Sequence, residues 1–189
     1  MVLPVVAYGH PNLRKISEDI PQDYPGLKEL IENMYETMYA TSGVGLAAPQ
    51  INRQIRLFVV DTAPFGEDYP EAAEFKKVFI NPEIIEESEE ESSFDEGCLS
   101  IPGIRGEVVR PVKIKIKYKD TDFVDHTDEY DGILARVIQH EYDHLDGILF
   151  VDYFSNLKKM RIKKKLNMIT RGEMPVDYRM IYPKKSKRK

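Results

Sequence analysis

Residues 139–147 read QHEYDHLDG, and the spacing of the two histidines limits what the surrounding chain can be. An α-helix brings residues four apart onto one face. His140 and His144 therefore aim two imidazole nitrogens at one point if this stretch is helical. Ile133, Leu134, Val137, Ile138 and Leu145 are apolar at helical spacing, and Gly147 suits a stop. The pattern predicts a helix over about 131–146 that is central to the molecule. Glu141 is too close to His140 to be an obvious third ligand, but it is well placed to take a proton from water activated by an ion.

A catalytic metal site takes three protein ligands and keeps one position open. A histidine three residues after Gly147 would match one family of peptidases, but position 150 is Phe150. A downstream glutamate would match another, and residues 148–172 contain none. His10, His126 and Cys98 are left. His10, in YGHPNLRK, suits a turn before Pro11, and His126, in TDFVDHTDEYD, suits an exposed surface. Cys98 is the single cysteine and lies in DEGCLSIPG. A lone cysteine is most often a small buried hydrophobe. A metal-bound thiolate accounts for it better, because it supplies the ligand that the histidine pair lacks.

The 189 residues suit one domain able to bury a core. With one cysteine no internal disulfide can form, so a reducing cytoplasm is the expected compartment. No run is long enough to span a membrane, and the apolar opening lacks the basic start of a signal peptide. Residues 27–38 predict a first helix, and 55–60, 77–85 and 111–120 predict strands. In the last, Val112, Ile114, Ile116 and Tyr118 alternate with lysines, which gives one buried and one wet face. Residues 62–76, rich in proline and acid, are expected to form an exposed loop. Ser155 caps a third helix running to about 171. The expectation is an α+β domain over 1–172, with mostly antiparallel sheets around the central HExxH helix and a further C-terminal helix. An extended basic tail over 173–189 follows, fading into disorder.

The net charge of −5 conceals a split, since residues 158–189 hold 13 Lys and Arg against Glu173 and Asp177. A solvated helix face is the commoner meaning of such a run, and a docking arm for a polyanion such as RNA is the sharper one.

Three separated stretches, GVGLAAPQ (43–50), EGCLS (96–100) and QHEYDHLDG (139–147), together resemble the three signature motifs of the peptide deformylases, in the same order. YGHPNLRK is similar to that family's N-terminal segment, so the likeness extends over about 3–170. The resemblance implies a compact α+β fold and a hydrolase that removes the formyl group from the formylmethionine of newly made chains, releasing formate. It implies metal ligands Cys98, His140 and His144, with Glu141 as general base and acid. Gln50 and the Leu99 backbone N–H would stabilise the oxyanion, and Gly45 would hold the substrate by its backbone. The implied metal is one divalent ion, commonly Fe²⁺, with Zn²⁺, Ni²⁺ or Co²⁺ able to substitute.

An apolar pocket for the methionine is expected from Val44, Ile133, Val137 and the His140 ring. Arg136 shares that face, its stem packing and its head reaching solvent. Glu96 and Arg110 are expected to pair behind the Cys98 loop, as the family's equivalents do. Some members dock on the ribosome through a C-terminal helix, a role that the lysines of 158–165 would suit. Two rivals stand beside this reading: a zinc peptidase cutting internal amide bonds, and an RNA- or ribosome-associated protein with a structural metal.

Overall fold

The computed structural model describes residues 1–184. Its largest sheet has five strands, all antiparallel, in the order β2 (Gly45–Ala47), β3 (Leu57–Asp61), β4 (Lys76–Glu87), β7 (Lys113–Lys119) and β8 (Asp125–Asp131). A separate hairpin pairs β5 (Glu91–Gly97) with β6 (Arg105–Pro111). Strand β1 (Val5–Val6) runs parallel to β9 (Met180–Ile181). The three α-helices are α1 (Leu27–Ala40), α2 (Gly132–Leu145) and α3 (Asn156–Thr170). The expected α+β class, with mostly antiparallel sheets, is the one observed.

The packing follows the hydrophobic pattern. Ala135, Val137, Ile138 and Leu145 press α2 onto Phe58, Val60, Phe79, Ile114 and Ile116 of the five-stranded sheet. Alternation along β7 buries Ile114, Ile116 and Tyr118, and the lysines between them face outward or are half-covered. Helix α1 covers another part of the sheet through Ile31, Met34 and Met38. Helix α2 ends where Gly147 adopts φ +73°, and a Cβ there would meet the Arg14 carbonyl carbon at 2.7 Å. Glycine satisfies both demands at once.

Several strands escaped the sequence pattern because their inward positions are polar. On β8, His126, Asp128 and Tyr130 alternate with exposed residues. His126 is not on open surface: it is half-buried, stacks on Tyr118 with ring centroids 5.2 Å apart, and contacts Asp120 at 2.6 Å. Asp128 accepts hydrogen bonds from Lys77, Tyr118 and Tyr130, which hold its carboxyl down at about 2. Residues 62–76 are also more ordered than a plain loop. They contain 3-10 turns at Ala63–Phe65 and Pro70–Ala72, and they bury Thr62 and Ala72.

The chain after Gly172 departs most from expectation. Rather than trailing away, it returns to β1, where Arg179 and Ile181 carbonyls accept from the Val5 and Ala7 N–H groups at 2.9 and 2.8 Å. Residues 185–189 of the expected basic tail lie outside the described residues. The return needs no long periodic stretch, only two backbone pairs against the fully buried Val5 and Val6. No helix among the described residues is long and apolar enough to cross a membrane.

Phe79 is fully buried, stacked on Phe58 at 4.6 Å and tilted against Tyr118 at 4.5 Å. Phe79→Ala is expected to destabilise the fold by about 3–5 kcal/mol, measured as a lower urea midpoint with an unchanged slope.

Candidate active site

Helix α2 presents His140, Glu141 and His144 toward the turn that follows β5. That turn carries Cys98, and a metal-binding atom from each of Cys98, His140 and His144 lies within 4.8 Å of the others. Cys98 Sγ stands 3.3 Å from His144 Nε2. His140 turns its Nδ1 to Glu96, 2.8 Å away, which leaves Nε2 for the centre of the cluster. His10, at the start of a 3-10 turn, and His126, on β8, take no part in this cluster.

The donor set fits a divalent ion on chemical grounds. One thiolate and two imidazoles are ligands for borderline metals, and a carboxylate partner on the far nitrogen orients a ligating histidine. Glu141 Oε2 is buried and has no hydrogen-bond partner within the protein. A buried, unpaired carboxylate oxygen is costly unless something else occupies its side of the site. Burial pushes the Glu141 carboxyl up to about 7. Burial would lower His140, yet its contacts with Cys98 and Glu96 raise it well above the usual imidazole range. His144 is lowered by burial and then by the charge on His140.

Around this cluster runs a cleft of about 580 Å³, whose lining includes Val44, Gly45, Gln50, Cys98, Leu99, Val137, His140 and Glu141. The Gln50 amide is fixed at both ends. Its oxygen accepts from the Ala47 N–H at 2.8 Å, and its nitrogen points at Cys98 Sγ at 3.5 Å and the Ser100 hydroxyl at 3.3 Å. Gly45 lies so close to the motif helix that a Cβ would fall 2.5 Å from Glu141 Oε1. A larger residue there would collide with the Glu141 side chain and displace it. Ile133 is buried but does not line the cleft, so it forms no part of a side-chain pocket there. Phe65, Phe94, Ile104 and Tyr178 line it instead.

Glu96 organises the rear of the site. Its two oxygens accept from Arg110 Nε and Nη2 at 2.7 and 3.1 Å. Arg136 donates to it at 3.0 Å and also to the carbonyls of Val108 and Ser92. The Arg136 head therefore does not reach solvent. It is buried, because three acceptors on the β5–β6 hairpin converge there and replace its hydration. The Arg110 pair is buried as well, and Arg110 reaches on to Asp143 at 2.7 Å. Two guanidinium groups thus meet two carboxylates, so each of these buried charges faces an opposite one. Burial opposes ionisation of Glu96, but hydrogen bonds with His140 and Arg110 hold its carboxyl well below the ordinary range.

A compact α+β domain with a cysteine and two helical histidines beside a buried glutamate has the makings of a metallohydrolase. A family model described as polypeptide deformylase matches residues 2–160. The chain is 52% identical to a peptide deformylase of Christiangramia forsetii over 99% of both chains. It is 54% identical to that of Flavobacterium johnsoniae over 95% of both. The crystal structure of a peptide deformylase from Legionella pneumophila superimposes with a TM-score of 0.80 at 37% identity, covering 93% of this chain and all of that one. This chain belongs to the polypeptide deformylase family, hydrolases that are metal-dependent and remove the N-formyl group from nascent peptides.

Glu96→Gln strips a charge from the buried network and weakens the clamp on His140. It is expected to cost about 3–5 kcal/mol of stability. It is also expected to lower metal affinity by about 10–100-fold, measured by competition with a chromogenic chelator.

Proposed function

We propose that Cys98, His140 and His144 hold one divalent ion, Fe²⁺ in the working enzyme, and that the cleft beside them binds the formylmethionyl end of a nascent chain. The observation that supports this reading most is the convergence of three donor atoms beside a buried Glu141 oxygen with no protein partner. Zn²⁺, Ni²⁺ or Co²⁺ would suit the same ligands.

Bound there, a divalent ion lowers the pKa of water from ~15.7 to roughly 7 and polarises a carbonyl oxygen. The protein's own part begins with Glu141, which takes a proton from the attacking water. Its buried Oε2 has no partner within the protein, which leaves it free to accept a proton and give it up. Glu141 then returns that proton to the departing amine as the formyl C–N bond breaks, and formate and a free amino terminus result. Negative charge gathers on the formyl oxygen during attack. The Gln50 amide nitrogen and the Leu99 backbone N–H are the donors suited to it, and Gln50 is held rigid before any substrate arrives.

The methionine side chain would pack on Val44, Val137 and the His140 ring, with Phe94 and Ile104 extending the apolar wall. The Gly45 backbone would pair with the substrate main chain as an added strand, which recognises any sequence equally. Such a substrate places the enzyme in the cytoplasm, where chains are made. Helix α3 exposes Lys159, Arg161, Lys163, Lys164 and Lys165 to solvent and is capped by Ser155. This face suits docking on the polyanionic ribosome, and Lys163, Lys164 and Lys165→Glu is expected to abolish salt-sensitive co-sedimentation with ribosomes.

Protein reconstituted anaerobically with Fe²⁺ is expected to release formate from formyl-Met-Ala-Ser and to stop when the metal is chelated. Glu141→Gln should retain metal and lower kcat by about 10²–10⁴. Gln50→Leu should lower it by about 10²–10³. Cleavage of an internal amide bond with no formate produced would overturn the reading in favour of a peptidase.

A further inference from the structure

We infer that Tyr178, on the segment following α3, is a positioning residue of the active site: its hydroxyl fixes the Leu99 carbonyl, and its ring forms part of the cleft wall. This rests on the deformylase reading of the cleft. The family model ends at residue 160, so this segment lies beyond the part of the chain it describes.

The turn from Cys98 to Ile101 has to serve two purposes at once. In the proposed reaction Cys98 supplies the thiolate, and the next N–H, that of Leu99, is the donor for the developing oxyanion. An N–H is useful there only if its peptide plane cannot rotate away, because a preorganised donor avoids reorganisation during the reaction. The plane before Leu99 is fixed by its own carbonyl, since Cys98 O accepts from the Ile101 N–H at 2.9 Å. The plane after it is fixed by Tyr178, whose hydroxyl donates to Leu99 O at 2.8 Å. Beyond that, Ser100 O accepts from the Tyr8 N–H at 2.8 Å, and the Ser100 hydroxyl meets Gln50. Each peptide of the turn thus has a restraint, and the one on the Leu99 carbonyl comes from a residue 79 positions away.

The tyrosine is itself held firmly. Immediately after it, Arg179 and Ile181 pair with the buried strand β1, and β1 leads directly to Tyr8, which holds Ser100. Four residues before it, the Met174 methyl lies against Gly103, within 3.0 Å of where a Cβ would stand. The segment therefore clasps the turn from outside, with Tyr178 directed inward. The ring is half-buried and lines the cleft, and burial raises its phenol further above its ordinary range, so the hydroxyl keeps its proton and remains a donor.

The same placement gives the ring a second effect. A nascent chain bound in the cleft would run past its wall, to which Tyr178 contributes along with Leu99 and Pro102. Removing the hydroxyl alone should loosen the turn without widening the cleft, whereas removing the ring should do both.

The test compares Tyr178→Phe, Tyr178→Ala and the control Tyr182→Phe in the Fe²⁺-loaded full-length protein. Kinetic constants are normalised to metal-loaded sites, and hydrogen–deuterium exchange is followed across residues 98–103. Tyr178→Phe is expected to lower kcat about 5–30-fold with KM within twofold, and to speed exchange in 98–103. A misplacement of about 1 Å at a reacting group can cost on the order of 10², so a loosened donor should cost less than that. Tyr178→Ala should match that loss in kcat and also raise KM severalfold, and Tyr182→Phe should change neither. A merely structural tyrosine would lower the melting temperature and the fraction of active protein while leaving kcat per loaded site intact. Normal kcat in Tyr178→Phe overturns the inference whatever the exchange shows. If even wild type releases no formate, the deformylase reading fails by itself. Exchange then decides the tie to Leu99: faster exchange in Tyr178→Phe sustains it, and unchanged exchange overturns it.

Discussion

The carboxylate of Glu96 is the interaction on which the rest of the site depends. It sits at the end of the β5–β6 hairpin, two residues before Cys98, and it contacts His140 of the Cys98–His140–His144 cluster and two arginines. A buried carboxylate is costly in isolation, by several kcal/mol even after relaxation. Here the cost is offset because every contact is charge-assisted and the network ends on Asp143, within the motif helix itself. The hairpin carrying the thiolate and the helix carrying the imidazoles are thereby joined through one anion. The geometry of three ligands from two elements follows from that union.

Arg136 shows how such a network reshapes the surface around it. On a helical wheel it shares a face with Val137 and His140, and a long cation there would ordinarily extend to water. The hairpin offers it Glu96 and two carbonyls at 2.7–3.0 Å, so it folds inward. One wall of the cleft is then shaped by the packed guanidinium and the Phe94 ring beside it, 5.8 Å from the Arg136 head. Ile133, one turn earlier, is buried away from the cleft.

Much of this is legible in the sequence. Apolar spacing placed the first two helices and the Ser155 cap the third, each to within about two residues, and the apolar strands 57–61, 76–87 and 113–119 stood out by their composition. The polar strands β5 and β8 did not, because their inward residues are satisfied by ion pairs and hydroxyl networks such as Lys77–Asp128. Hydrophobic alternation is the signal that such strands lack. Strands β1 and β9 are two residues each, too short for any periodicity.

The sequence by itself supplied the candidate chemistry: one cysteine and two histidines four apart as donors, with a glutamate between them to carry a proton. The helical repeat alone brings His140 and His144 onto one face, since that relation is local. Only the tertiary structure decided what holds those groups in place. Arg136 meets Glu96 across 40 positions, and Tyr178 meets Leu99 across 79. Contacts at that separation arise from how the layers pack rather than from neighbouring residues. No local pattern in the chain records them, because their stability comes from burial that exists only once the fold has formed.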